Sequence, residues 1–177
     1  MLRTGSQLLC VLGLCWGTLH AQTSNLPALR AWYRDASTAR NAGSPEALDR
    51  ATAMASQVRS MRETETTRGN DAAVLQGFEA VAQLLVAEQV WNPVEKLSQF
   101  LDWQPVLEAS VQAQPNDPDL AVLRMGVQVH APAFLNYRDD VAHDRECAEQ
   151  ALNRGHWASD PEHEAFVRDF LTYLKSR

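Results

Sequence analysis

The chain has 177 residues, 45% of them hydrophobic and 21% charged, and its 16 basic against 22 acidic residues give a net charge of −6. Phosphate recognition needs a basic footprint, so nucleic acid is excluded as the expected partner. A chain of this length can bury one domain-sized core without covalent staples.

The first 21 residues carry a single charge, Arg3, followed by an apolar and small-residue run from Leu8 to Leu19 and a small residue, Ala21. That layout is expected of a secretory signal cut after Ala21. Residues 22–177 then form one domain, expected in the periplasm or outside the cell. The run is about 12 residues, short of the about 20 that span a bilayer, so no stable membrane span is expected. Lipidation is not expected either, because Leu9 and Leu14 precede Cys10 and Cys15 where a small residue is needed. Both cysteines leave with the signal. Cys147 is then the single thiol, without an intramolecular partner and expected to be buried.

Helical periods recur through the rest, and period-two alternation does not. A first helix is expected from Leu26 to Ala42, stopped by Gly43. Ser44-Pro45-Glu46 has the hydroxyl, proline and early acid of a second start, with Leu48, Ala51, Ala55, Val58 and Met61 at helical spacing up to Gly69. A third helix opens at Asn70 or Asp71 and runs to about Trp91, burying Val74, Phe78, Val81, Ala82 and Leu85. Asn92-Pro93-Val94-Glu95 starts a fourth. Pro105 should break it near Asp102 and leave a second piece to Val111, since the proline ring clashes with the Leu101 carbonyl.

Gln114–Pro118 reads as a loop, and Asp117 or Asp119 as the cap of a fifth helix ending at Pro132. A sixth is expected from Tyr137 to Asn153. The last starts at Ser159-Asp160-Pro161-Glu162 and should bury Phe166, Phe170 and Leu174. The fold class expected is all-α: about seven helices in stacked antiparallel pairs, without a strict repeat.

On the fifth helix Leu120, Leu123 and Val127 form one apolar patch, and Val122, Met125 and Val129 another, with only Arg124 and Gln128 between them. A helix apolar nearly all round belongs at the centre of a stack. Arg124 must then be paired with an acid inside or face a groove, and the pairing is favoured because Gln128 one turn later suggests a small polar network.

Residues Leu107–Asp117 (LEASVQAQPND) resemble the second helix and turn of a tetratricopeptide repeat, which implies a helical hairpin. Residues 92–144 resemble a family of uncharacterised exported bacterial helical proteins. The residues that carry it are Asn92-Pro93, Lys96, Phe100, Pro115-Asn116, Leu123-Arg124, Gln128, Ala131-Pro132, Phe134-Leu135 and Tyr137. Asn136 departs from the pattern, where a glycine is usual, but asparagine also tolerates a left-handed turn. The resemblance implies an exported helical protein and brings no catalytic residue.

One cluster has metal-ligand chemistry: Asp139, Asp140, His143, Asp144 and Cys147 on the sixth helix, where Asp140, His143 or Asp144, and Cys147 share a face. A solvated acidic face is the competing reading, favoured because no second cluster supports a site. His163-Glu164 opens like a zinc-protease motif, but Val167 replaces the second histidine. His156 and Trp157 after Gly155 are expected to cover the end of the core. Trp91 and Leu84 lie off the main face of the third helix; burial against the next helix is expected, with a contact patch as the alternative.

No phosphate loop, nucleophile elbow or dinucleotide fingerprint occurs, and no cofactor is indicated. The function expected is a non-enzymatic interaction or scaffold module of the bacterial envelope, engaging a protein or peptide through Arg124, Gln128, Tyr137 and Lys96. The alternative is a metal-dependent hydrolase using Asp140, His143, Asp144 and Cys147.

Overall fold

The computed structural model describes residues 25–64 and 70–176. The expected signal segment, its cleavage site and the Gly69 helix stop lie outside them. Seven α-helices follow one another: α1 (Leu26–Asn41), α2 (Ala47–Thr64), α3 (Asn70–Glu88), α4 (Pro93–Ala113), α5 (Pro118–His130), α6 (Val141–Asn153) and α7 (Pro161–Lys175). A 3-10 turn, Ala133–Leu135, separates α5 from α6, and no strand occurs among the described residues.

The helix starts follow local chemistry. Asn92, Asp117 and Asp160 each accept a backbone N–H of the first turn, from Val94, Leu120 and His163, and each is followed by a proline whose missing amide costs nothing there. Ser44 behaves differently. Its hydroxyl accepts the Glu46 amide within a turn, and α2 begins only at Ala47. Gly43 ends α1 at φ +61°, so the Ser44 amide can reach back to the Ala39 carbonyl.

Pro105 does not break α4, which runs unbroken for 21 residues. The carbonyl deprived of its amide partner belongs to exposed Leu101, where water can serve it. Phe100, Trp103, Val106, Leu107 and Val111 pack on the core from both sides of the proline, and that packing outweighs the local break. The sixth helix likewise starts later than its pattern suggests, at Val141, because Asn136 takes a left-handed conformation (φ 48°, ψ 42°). In α7 the buried residues are His163, Val167 and Leu171, while Phe166, Phe170 and Leu174 are only partly covered. Its inner face is one residue out of phase with the aromatic pattern.

Successive helices pack as neighbours, and α5 is flanked by α3, α4 and α6. Every residue of α5 from Pro118 to Gln128 is buried, as its all-round apolar pattern requires. Leu107, Leu120, Leu123 and Met125 are sealed from solvent, each contributing about 1.5–3 kcal/mol by burial. α1 also packs against α7, so the stack closes on itself. Close approach of α1 to α5 depends on Gly126, where a Cβ would strike the Tyr33 hydroxyl.

Candidate functional site

Three places hold the chemistry of the molecule: two buried ionic clusters and an apolar groove.

The first cluster joins α4, α5 and α6 around Arg124, which is 7% exposed. Its Nε donates to Asp144 Oδ2 at 2.8 Å and its NH2 to Asp144 Oδ1 at 2.7 Å, a planar two-point grip on a carboxylate buried to 1% exposure. NH1 reaches Glu108 at 3.1 Å and lies 3.4 Å from Asp140. Tyr137 donates its hydroxyl to the other oxygen of Glu108. Burial and the Glu108 carboxylate both push the Tyr137 phenol far above its ordinary range, which keeps it a neutral donor. Gln128 donates to Asp140 at 3.3 Å, and its buried Oε1 accepts from no described group. Arg124, Gln128 and Tyr137 are thus brought together, in the paired arrangement that α5 led us to expect. None of the three lines the grooves described below.

The metal-ligand reading of the α6 cluster fails on this geometry. Both oxygens of Asp144 are taken by Arg124, Asp140 leans toward Arg124 and Gln128, and His143, 60% exposed, touches only Asp144 among the described residues, at 3.4 Å. Cys147 is half-buried, not sealed, with its thiol against the Asn116 carbonyl. Burial and then Asp144 push that thiol up, which opposes the thiolate a metal needs. Among the described residues no group of His, Cys, Asp or Glu is arranged to hold a metal ion.

The second cluster was not anticipated. Asp119, 2% exposed in the first turn of α5, accepts from Arg30 Nε at 2.9 Å, Arg30 NH2 at 2.7 Å and Trp157 Nε1 at 3.0 Å. His156 and His163 place ring nitrogens 3.6 and 3.7 Å from the same carboxylate. Burial alone would raise the Asp119 pKa, but the His156, Arg30 and Trp157 donors outweigh it and hold the carboxyl well below its usual range. His163 is 1% exposed, and neither ring nitrogen has a hydrogen-bond partner among the described groups. Burial drives its pKa down to about 4, with Asp119 and Asp160 opposing and Arg30 and Arg34 assisting. This cluster ties α1 to α5 and α7 and fixes the closure of the stack. His156 and Trp157 thus do cover the core's end, through a polar anchor.

The groove lies between the end of α3, the start of α4 and the turn after α5. It encloses about 220 Å³ and is lined by Leu84, Leu97, Phe100, Val127, Phe134 and Leu135, with Ala87, Pro93, Ala131 and Pro132 between them. Its polar wall is Glu88, Lys96 and His130. Pro132 and left-handed Asn136 shape the far side, turning Phe134 outward to 77% exposure while Tyr137 turns in. Phe100 meets Tyr137 edge-on at 5.8 Å, so the Arg124 cluster braces the groove from behind.

Just before α4, Trp91 is 92% exposed, and Val94, Leu97 and Leu101 form an uncovered stripe on α4, of which Leu97 lines the groove. The expected burial of Trp91 is therefore wrong. α3 ends at Glu88, three residues before it, so the indole is no longer carried on the face that packs; Leu84, still helical, is buried. Glu88 and His130 also border a wider groove of about 1060 Å³ beneath α1 and α7, where Arg40 lies 3.5 Å from Glu88. Burial pushes the Glu88 carboxyl up, and Arg40 partly offsets it.

Of the four residues expected to bind, only Lys96 is at the groove; Pro93, Phe100, Ala131, Pro132, Phe134 and Leu135 stood in the resemblance pattern, but neither periodicity nor spacing separated the lining apolar residues from core. Against family models, curated proteins and solved structures alike, the chain has no match.

Proposed function

We propose that the chain is a non-enzymatic interaction module of the bacterial envelope that captures a protein or peptide in the groove between α4 and the turn at residues 131–135. One observation carries this reading. Five of the seven large hydrophobic side chains exposed among the described residues are Trp91 just before α4, Val94, Leu97 and Leu101 in its first half, and Phe134 in the turn, and two of them, Leu97 and Phe134, line the groove. A soluble domain rarely leaves such a patch uncovered without use, and aromatics beside a pocket are the usual anchors of interfaces. Both ionic clusters instead have their charges engaged with one another, which suits holding helices together. The envelope location rests on the secretory layout of residues 1–21.

A photo-crosslinking amino acid placed at Phe134, with a second variant carrying it at exposed Leu48 as control, tests the reading in intact cells. We expect discrete adducts from position 134 and none of the same mass from position 48. Identical patterns at the two positions would overturn it.

A further inference from the structure

The proposed interaction surface also says something about the chemistry of what it takes. We infer that the partner presents an apolar side chain immediately beside a carboxylate, the apolar group filling the groove and the carboxylate meeting Lys96; this rests on the reading of the groove as an interaction site.

The volume sets the first half. At about 220 Å³ the groove is smaller than the roughly 300–1,000 Å³ of sites that engulf a whole drug-sized ligand, and it suits one large side chain. The apolar stripe outside it then gives the flanking residues of a peptide something to lie on. A long acyl chain would outrun the groove.

Charge sets the second half. Lys96 is the only basic residue between positions 70 and 118, a stretch with seven acids, and it stands at the groove. Among the described residues it takes part in none of the ion pairs, and Glu88 attracts it only at longer range. Glu88 is engaged by Arg40, so it does not satisfy Lys96. At helical spacing Pro93, Lys96, Leu97 and Phe100 share an arc of about 100° over the groove, while Glu95 and Asp102 fall on the far side of α4. A carboxylate on the partner therefore approaches a cation with no acid of α4 beside it. A lysine- or arginine-bearing segment would meet the reverse.

The test is a titration of the isotope-labelled protein, read by backbone amide shifts at Ala87, Leu97, Ala131 and Leu135. The probes are the blocked dipeptide amides acetyl-Phe-Asp, acetyl-Phe-Asn and acetyl-Phe-Lys, with decanoate as the lipid-like competitor. We expect the Asp probe to bind about threefold tighter than the Asn probe, the size of an exposed ion pair, and the Lys probe to be weakest. Lys96→Glu, at an exposed position, should reverse the order. Phe134→Ala, also exposed, should weaken all three.

Equal affinities for the three dipeptides, an order that survives Lys96→Glu, or saturation by decanoate below the dipeptide range would each overturn the inference. So would shifts of the same amides with protein concentration alone, which would mark a second copy as the occupant. If the charge preference fails while crosslinks at position 134 persist, the interaction reading stands and this partner chemistry is wrong. If the crosslinks fail too, both fall.

Discussion

The two buried clusters solve one problem in different ways. Around Arg124 a single cation serves three carboxylates, Asp144, Glu108 and Asp140, and only the first is sealed from water. Around Asp119 a single carboxylate is served by several groups, Arg30, Trp157 and His156, with Arg34 and Asp160 beside them. The His163 ring is 3.7 Å away and makes no hydrogen bond among the described residues. The first has no substitute for its cation. The second has substitutes for any one donor, and it carries a titratable group among them. Dependence on one residue and dependence on pH should therefore separate between the two regions.

Arg124→Met should have the largest effect. It leaves Asp144 buried with only the ring of His143 nearby, and we expect a loss of roughly 3–5 kcal/mol in urea unfolding. Arg30→Met should cost less, roughly 2–3 kcal/mol, because Trp157 and His156 still face Asp119. Equal losses would remove the distinction between the clusters.

The pH test sharpens the second region. His163 has a folded pKa of about 4 against about 6.5 unfolded, so the unfolded chain binds the proton more readily between these values. Its neutral form contributes stability that is fully present above about pH 7 and is lost as pH falls toward 4, about 3 kcal/mol in all. Removing the group by His163→Leu should flatten the pH 7 to pH 4.5 segment of the stability curve relative to the parent. An unchanged slope would show that His163 is not the group responsible. Arg124 and Tyr137 stay in one protonation state throughout that window, so neither supplies the titration that His163→Leu removes.

Gly126→Ala probes the packing of α1 on α5 independently of charge. The new methyl meets the Tyr33 hydroxyl, and a cost of about 1–3 kcal/mol should appear in thermal melts. Tyr137→Phe should have the smallest effect, about 1 kcal/mol, because Glu108 keeps Arg124 and some solvent. Its amide shifts should appear at Phe100 and along the groove, as the brace behind that wall loosens.

The difference in legibility between the two clusters is physical. Arg124 stood out because it interrupts a helix apolar on every other side, and a charge there must have a partner. Asp119 read only as one of two candidate caps for that helix, a local role that Asp117 fills. Its partners Arg30 and Trp157 lie 89 and 38 residues away, and no local period records such a pairing. His163 was weighed only as half of a protease motif, though its place on the inner face of α7 was the better clue.

The helices themselves were largely legible, because capping side chains followed by prolines act within one turn. Among the misjudged places, unbroken α4 at Pro105 and exposed Trp91 are ones where tertiary packing or a helix end decides. The groove had no such signature. Its lining is assembled from α3, α4, α5 and the following turn, and apolar residues that line a pocket have the same spacing as those that fill a core.

The central claim is that ionic clusters hold this molecule together while the apolar groove does its binding. The most direct measurement crosslinks from Leu97 in intact cells, in the parent and in a Phe134→Ser variant whose melting temperature is recorded alongside. We predict unchanged melting and loss of the Leu97 adducts, since Phe134 is exposed and contributes only to the groove's mouth. Adducts that persist in the Phe134→Ser variant at parental yield would contradict the account.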